Sequence, residues 1–205
     1  MPKKYKLKKS RKEKKELNPE KIKEIIERLN DENDKRMCYI SLFSGMRAGE
    51  IAGFKWSDID FDKNTIRVQR QITKFDEETA TKTETGRFTA FEMLPELAEK
   101  LRECREYTGD DPYVFPGMNA TKVIEMIRKY KLRCARAGID PLLIKDQGFH
   151  FFRHSFGSLL YSKTHNISYV SKMMRHANVT MTMNEYVHLI EGDVLNYTQD
   201  IRFYE

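Results

Sequence analysis

The sequence predicts an α+β domain that is mainly helical, with one small three-stranded antiparallel sheet. Two patterns carry that expectation. Apolar residues at helical spacing, bracketed by cap signals, occur before residue 45 and again after residue 95. Two-residue alternation is confined to the stretch between them. There is no internal repeat, and 205 residues with 40% hydrophobic side chains suffice for one real core.

Residues 1–16 have few apolar groups and read as a disordered basic arm, with residues 17–205 as the folded domain. Asn18 is placed to cap a first helix and Pro19 suits its first position. Ile22, Ile25, Ile26 and Leu29 fall on one face of that helix. A second helix runs from about Asp34 to Ser44, with Met37, Ile40 and Leu42 apolar, and stops at Gly45. A short helix opening RAGEIAGF follows.

WSDIDFDKNTIRVQRQIT then reads as strand, turn and strand. Asp62, Lys63 and Asn64 form the turn, and Ile66 and Val68 alternate with Arg67 and Gln69. KFDEETATKTETG reads as a polar connection and RFTAFEML as the third strand. Pro95 opens a helix whose Leu97, Ala98 and Leu101 share a face, and another spans roughly Ala120 to Ala137, ending at Gly138. From Phe149 the chain reads as helical almost to its end, with breaks at Asn166–Ser168 and Ala177–Thr180. Residues 191–205 offer a tail helix carrying Val194, Leu195, Tyr197, Ile201 and Phe203.

Net charge is +6 and the pI near 9.1, which invites a nucleic-acid reading. The excess is local, however. Residues 1–16 hold nine Lys/Arg against Glu13 and Glu16, a net of +7; the remaining 28 basic and 29 acidic side chains net −1. Such an arm fits phosphate contacts and equally fits a solubilising tail, so the body must supply the rest of the case. No apolar run is long enough for a membrane span, and the charged N-terminus does not resemble a signal peptide, so a cytoplasmic protein is expected. Cys38, Cys104 and Cys134 form no C-x-x-C pair and read as free thiols; the sequons at Asn166, Asn178 and Asn196 are then incidental.

HFFRHS is the first stretch with chemistry in it. Phe149, Phe152, Phe156, Leu159 and Leu160 form an apolar stripe, with His150 and Arg153 side by side at its edge. An imidazole beside a guanidinium joins a proton-transfer group to an anion clamp, although a partly exposed helix face would look the same. His150 and His154 have zinc-helix spacing, but the Glu of H-E-x-x-H is missing and no metal is expected. Taken singly, Tyr186 reads as core, Arg47 as a surface partner of Glu50, and Lys82 as a solvated turn residue.

Order and spacing change that reading. Arg47, then Lys82, then H-x-x-R at His150 and Arg153, then His176 some 23 residues on and Tyr186 ten further resemble the signature of tyrosine recombinases, the phage or lambda-integrase-like family. SLFSGMRAGEIAGFKWSDIDF resembles the family's first box, KTETGRFTAFEMLPEL its Lys-bearing hairpin, HFFRHSFGSLL its second box and MMRHANVTMTMNEYVHL its tyrosine box. Two departures stand out. The tyrosine box usually has Gly before its His, where this chain has Arg175. The family also usually has a separate core-binding domain upstream, where only the basic arm precedes here. The chain thus resembles an excised catalytic domain, a truncated integrase gene, or the short single-domain recombinases that flip fimbrial promoters.

The resemblance implies the catalytic-domain fold of DNA breaking-rejoining enzymes and a metal- and cofactor-free transesterification on double-stranded DNA. Tyr186 would attack the scissile phosphorus, giving a 3′-phosphotyrosine and a free 5′-hydroxyl. Arg47 and Arg153 would hold the non-bridging oxygens, Lys82 protonate the leaving oxygen, and His150 accept the tyrosine proton. His176 would hydrogen-bond a phosphate oxygen, and Glu50 would orient the Arg47 region. The family also implies self-association as a tetramer on paired sites, residues 191–205 as an exchange segment, accessory DNA-bending proteins, and association with the nucleoid when on DNA. A type IB topoisomerase-like relaxing enzyme and a non-catalytic DNA-binding regulator are the competing readings.

Overall fold

The computed structural model describes residues 19–73, 78–80, 90–139 and 149–186. The basic arm, Asn18, Lys82 and the segment 191–205 lie outside the described residues. Helix α1 (Pro19–Glu27) buries Ile22, Ile25 and Ile26 on the face expected, with Leu29 just beyond it. Helix α2 (Glu32–Ser44) begins two residues before the expected Asp34, because the Asp31 carboxylate accepts from Asp34 N at 2.9 Å and caps the end. It closes on Gly45 in the left-handed conformation, φ 63°. From Met37 to Leu42 every residue of α2 is buried, as a helix at the centre of a domain must be.

Helix α3 (Ala48–Ala52) and a 3-10 turn (Trp56–Asp58) lead into the sheet. Strands β1 (Ile59–Asp60), β2 (Thr65–Arg67) and β5 (Ala90–Glu92) make the expected three-stranded antiparallel sheet in the order β1-β2-β5, with Ile66 between Ile59 and Phe91. Ile66 and Val68 point inward and Arg67 outward, as the alternation predicted.

A second, two-stranded sheet pairs β3 (Arg70–Ile72) with β4 (Glu78–Ala80) in the register Arg70↔Ala80, Ile72↔Glu78. Here the expectation of a polar connection needs correcting. The polar stretch contains a strand because β3 packs on α3 while the ladder satisfies the backbone of β4, so β4 needs no apolar face of its own.

Helix α4 (Pro95–Thr108) buries Leu97, Ala98, Leu101 and Cys104 against α2, and α5 (Ala120–Arg136) buries Val123, Tyr130 and Cys134. Helix α6 (His150–Thr164) packs along α2, and α7 (Ile167–Met173) packs on α6. Among the described residues, 179–186 form a further helix, α8. Both helix breaks fall slightly earlier than expected, for one reason. Asn166 and Asn178 are N-caps, accepting from Tyr169 N and Met181 N at 3.0 Å each, so the residues just after them already belong to the next helix. Among the described residues no helix is long and apolar enough to cross a membrane.

Two clusters make the core. The larger joins α1 to α5, the sheet and the start of α6; the smaller groups Phe156, Tyr161, Val170, Met173, Met174 and Tyr186. At the centre of the first, Phe152 meets Tyr130, Phe149 and Phe151 edge-on, with ring centroids 5.3–5.9 Å apart. Phe152→Ala is therefore expected to cost about 3–5 kcal/mol of stability, read as a lowered urea midpoint with an unchanged slope.

Candidate active site

The site is built where the end of α2, the start of α3, the first turns of α6 and the turn after α7 meet. Gly45 makes the approach possible. A Cβ on it would stand 2.6 Å from Phe156 Cδ1, and its positive φ turns the chain so that the Ser44 and Gly45 carbonyls remain available as acceptors. Arg153 reaches up from α6 to donate through Nη1 to the Gly45 carbonyl and through Nη2 to that of Met174. Arg175, on the turn after α7, donates through Nη1 to Met173 O at 2.9 Å and Ser44 O at 3.2 Å. Its Nη2 donates to Gly45 O at 2.9 Å and Glu50 Oε2 at 3.0 Å.

Glu50 ties the group together. Its Oε1 accepts from Arg47 Nη1 at 2.8 Å, while Oε2 accepts from the Arg47 backbone N–H at 2.9 Å as well as from Arg175. The cluster is layered. Glu50, Arg153 and Arg175 are buried at 2%, 4% and 6% exposure, whereas Arg47 is half-buried and His150 exposed above them. Burial alone would raise the Glu50 carboxyl, but Arg175, then Arg153 and Arg47, overrule it and hold it at about 2. Burial, with Arg47 and Arg175 adding to it, brings Arg153 down to about 9, so it stays charged at neutral pH. Three guanidinium groups against one carboxylate leave a local excess of positive charge.

Burial first, and this excess of charge second, push both imidazoles below their usual range. His150 titrates below its usual range because the surrounding protein desolvates it and Arg153 and Arg47 repel its proton. His176, whose side chain is 5% exposed, is pushed down to about 4 by burial and then by Arg153, Arg47 and Arg175. Its Nδ1 lies 2.7 Å from Thr182 Oγ1, and its Nε2 lies 3.8 Å from Glu185 Oε2.

Tyr186 lies on α8, 1% exposed, in the smaller apolar cluster. Its hydroxyl stands 3.5 Å from the His154 carbonyl and against Gly157, where any Cβ would collide with it. His154 follows Arg153 on α6, so the tyrosine borders the cluster, but the hydroxyl is turned into α6 and away from solvent. Glu185 pairs with His154 Nδ1 on the neighbouring turn of α6 and holds α8 there.

Of the residues singled out in the sequence, Arg47, Glu50, His150, Arg153 and His176 thus converge, Tyr186 adjoins them, and Lys82 lies outside the described residues. Arg175 and Glu185 were missed. The signal for Arg175 was present: a non-glycine residue stands where the tyrosine box usually has Gly, and its backbone adopts φ 53°. Glu185 left no signal, because only the fold brings it beside His154.

A family model described as the phage integrase family matches residues 15–192. The chain is 29% identical over 212 residues to a tyrosine recombinase XerC-like protein of Caldanaerobacter subterraneus subsp. tengcongensis, covering 90% of this chain and 53% of the relative. It is 25% identical to the ICEBs1 integrase of Bacillus subtilis, covering 88% and 52%. The chain therefore spans about half the length of these curated relatives. Among solved structures, the Tn1549 transposon integrase in complex with circular intermediate DNA superposes with a TM-score of 0.70 at 20% identity, covering 88% of this chain and 64% of that one. The catalytic domain of bacteriophage HP1 integrase superposes with 0.54 at 20% identity, covering 84% and 86%. Both likenesses support the fold expected.

Neutral burial of His176 has a stability signature. The unfolded chain takes up its proton near the ordinary value of 6.5, the folded one only near 4. The contribution is therefore complete above about pH 6.5 and is lost as pH falls through that window. Between pH 7 and 5, above the range where Glu50 titrates, the wild type should lose about 2 kcal/mol more than His176→Gln, measured by urea unfolding at each pH.

Proposed function

This chain belongs to the phage integrase family, and on that premise we propose that it is the catalytic domain of a tyrosine-type site-specific DNA recombinase with Tyr186 as nucleophile. The observation that carries the reading is the arginine cluster organised on Glu50, which borders the helix bearing Tyr186. Phosphoryl transfer gathers negative charge on the two non-bridging oxygens. Fixed guanidinium groups in a partly dry site stabilise that charge without reorganising. Arg47, the half-exposed member, meets the phosphate first; Arg153 has donors beyond the two given to backbone carbonyls and supports it from below.

The reaction balances without a cofactor. The Tyr186 oxygen bonds to phosphorus, the bond from phosphorus to the 5′-oxygen breaks, and a 3′-phosphotyrosine and free 5′-hydroxyl result. A 5′-hydroxyl from a second strand reverses the step. His150, neutral at pH 7, accepts the tyrosine proton; Lys82 supplies one to the leaving oxygen; His176 donates a hydrogen bond to a phosphate oxygen. Because the Tyr186 hydroxyl rests against Gly157, it must swing out of α6 before attack, and DNA engagement is the event that would favour this. Double-stranded DNA is the substrate, integration, excision or inversion the outcome, and self-association on paired sites the working assembly. The DNA in the Tn1549 integrase complex, and in the XerH recombinase bound to difH substrate, supports this choice of substrate.

A nicked suicide duplex, selected from a randomised pool by binding to the full chain, tests the proposal without added metal. Wild type should form a covalent adduct on a denaturing gel that Tyr186→Phe abolishes. Arg47→Ala and Arg153→Ala should each slow its formation by about 100-fold or more. An adduct that survives Tyr186→Phe removes the nucleophile. Relaxation of supercoiled plasmid without paired sites points to topoisomerase-like action, and tight binding with no adduct points to a regulator.

A further inference from the structure

Resting on the recombinase reading, we propose that Arg175 is a positioning residue of the phosphate clamp, holding Arg47 through Glu50 and Arg153 through the Gly45 carbonyl. Arg175 does not itself face solvent. It is 6% exposed, and its guanidinium is engaged by Met173, Ser44, Gly45 and Glu50, so it acts through other groups rather than on DNA.

Two features of the position are unfavourable for an arginine. Its backbone is left-handed at φ 53°, which glycine adopts freely and an L side chain does not. Its cation is also desolvated, enough to lower its pKa from the ordinary value despite Glu50 beside it. Glycine would avoid both costs. What glycine would lose is a brace connecting three segments of the site: the end of α2, the first turn of α3 and the turn that leads to His176.

The connections are specific. Glu50 Oε2 is shared between Arg175 Nη2 and the Arg47 backbone, while Oε1 aims the Arg47 guanidinium. The Gly45 carbonyl is shared between Arg175 and Arg153. Without Arg175, Glu50 loses the partner that contributes most to keeping it charged, and its remaining hydrogen-bond partner, Arg47, holds the carboxylate from the α3 side alone. Both clamp arginines then lose the rigidity of what they rest on. Positioning groups of this kind act on the transition state more than on binding.

The test uses the full chain and four variants. Arg175→Gly suits the backbone, Arg175→Lys keeps a charge without the fork, Arg47→Ala removes a clamp arginine, and Arg47→Ala/Arg175→Gly combines the two. Arg175→Gly should slow single-turnover adduct formation by roughly 10- to 100-fold while changing the Kd for the duplex by less than about threefold. Arg175→Lys should recover part of that rate. In the Arg47→Ala background the same change should cost clearly less than in the wild type, because only the support of Arg153 through the Gly45 carbonyl is then left to lose. A rate unchanged in Arg175→Gly, or a loss of equal size with and without Arg47, overturns the proposal. So does a variant that unfolds more easily yet cleaves at the wild-type rate at low temperature.

A DNA-free readout separates this inference from the reading it rests on. Carbon-13 NMR of the Glu50 carboxyl should show its titration rising from about 2 towards the ordinary carboxylate range in Arg175→Gly. If wild type forms no adduct, the recombinase reading falls, and the Arg175–Glu50 coupling is still judged by this titration. An unchanged Glu50 titration overturns the coupling whatever the DNA assay gives.

Discussion

Everything chemical in this domain depends on one buried carboxylate. Glu50 sits at 2% exposure with three arginines around it, and each of the three would repel the others without it. A cluster of guanidinium groups is useful to a phosphate only if it exists before the phosphate arrives. Yet like charges confined to a buried pocket tend to disperse or lose protons. Glu50 resolves the conflict by neutralising part of the charge and supplying geometry for the rest. It cancels one of three positive charges and leaves the remainder for an incoming anion. Its position follows from α3: Arg47 and Glu50 are separated by one turn at that helix's start, so its carboxylate also caps the Arg47 backbone N–H.

The same constraint shapes the tyrosine. The Tyr186 hydroxyl does not stand among the guanidinium groups it borders. Instead the ring packs with Phe156, Met173 and Met174, and the hydroxyl rests against the bare backbone at Gly157. Glu185, next to Tyr186, is paired to His154 on α6 and lies near His176. The helix that would deliver the tyrosine is therefore held by contacts to the very histidine-bearing segments it would work with.

Much of the fold was legible because its signals are local. Apolar spacing placed α1, α2, α4 and α5, Pro95 opened α4, and Gly45 and Gly138 closed their helices. Two kinds of feature were not legible. The hairpin of β3 and β4 lies in a polar stretch whose stability comes from backbone pairing and packing on α3, and composition cannot report either. Asn166 and Asn178 looked like breaks because a cap and a break use the same residue types, and only the hydrogen bond to the third residue on distinguishes them. In the candidate site, motif order picked out Arg47, Glu50, His150, Arg153 and His176, which the fold then assembles. Arg175 could be seen only as a departure from glycine. What the departure does depends on Ser44, Gly45 and Glu50, about 130 residues away in the chain.

Total charge is a poor guide to how such a protein would meet DNA. The body of the chain nets −1, and the arm of residues 1–16 carries the whole excess. Yet the body concentrates three cations around one anion in a pocket where solvent screening is weak. Exposed charges farther apart than about 8–10 Å are largely screened at ordinary ionic strength, so the distant acidic residues that balance the sum do little to cancel the cluster's local field. The two electrostatic resources are thus of different kinds. The arm offers charge suited to sequence-independent attraction, which salt weakens steeply. The cluster offers fixed charge concentrated at one place, which salt reaches poorly. A protein with only the first would bind DNA without acting on it. The geometry around Glu50 is what gives a tyrosine on the neighbouring helix something to do.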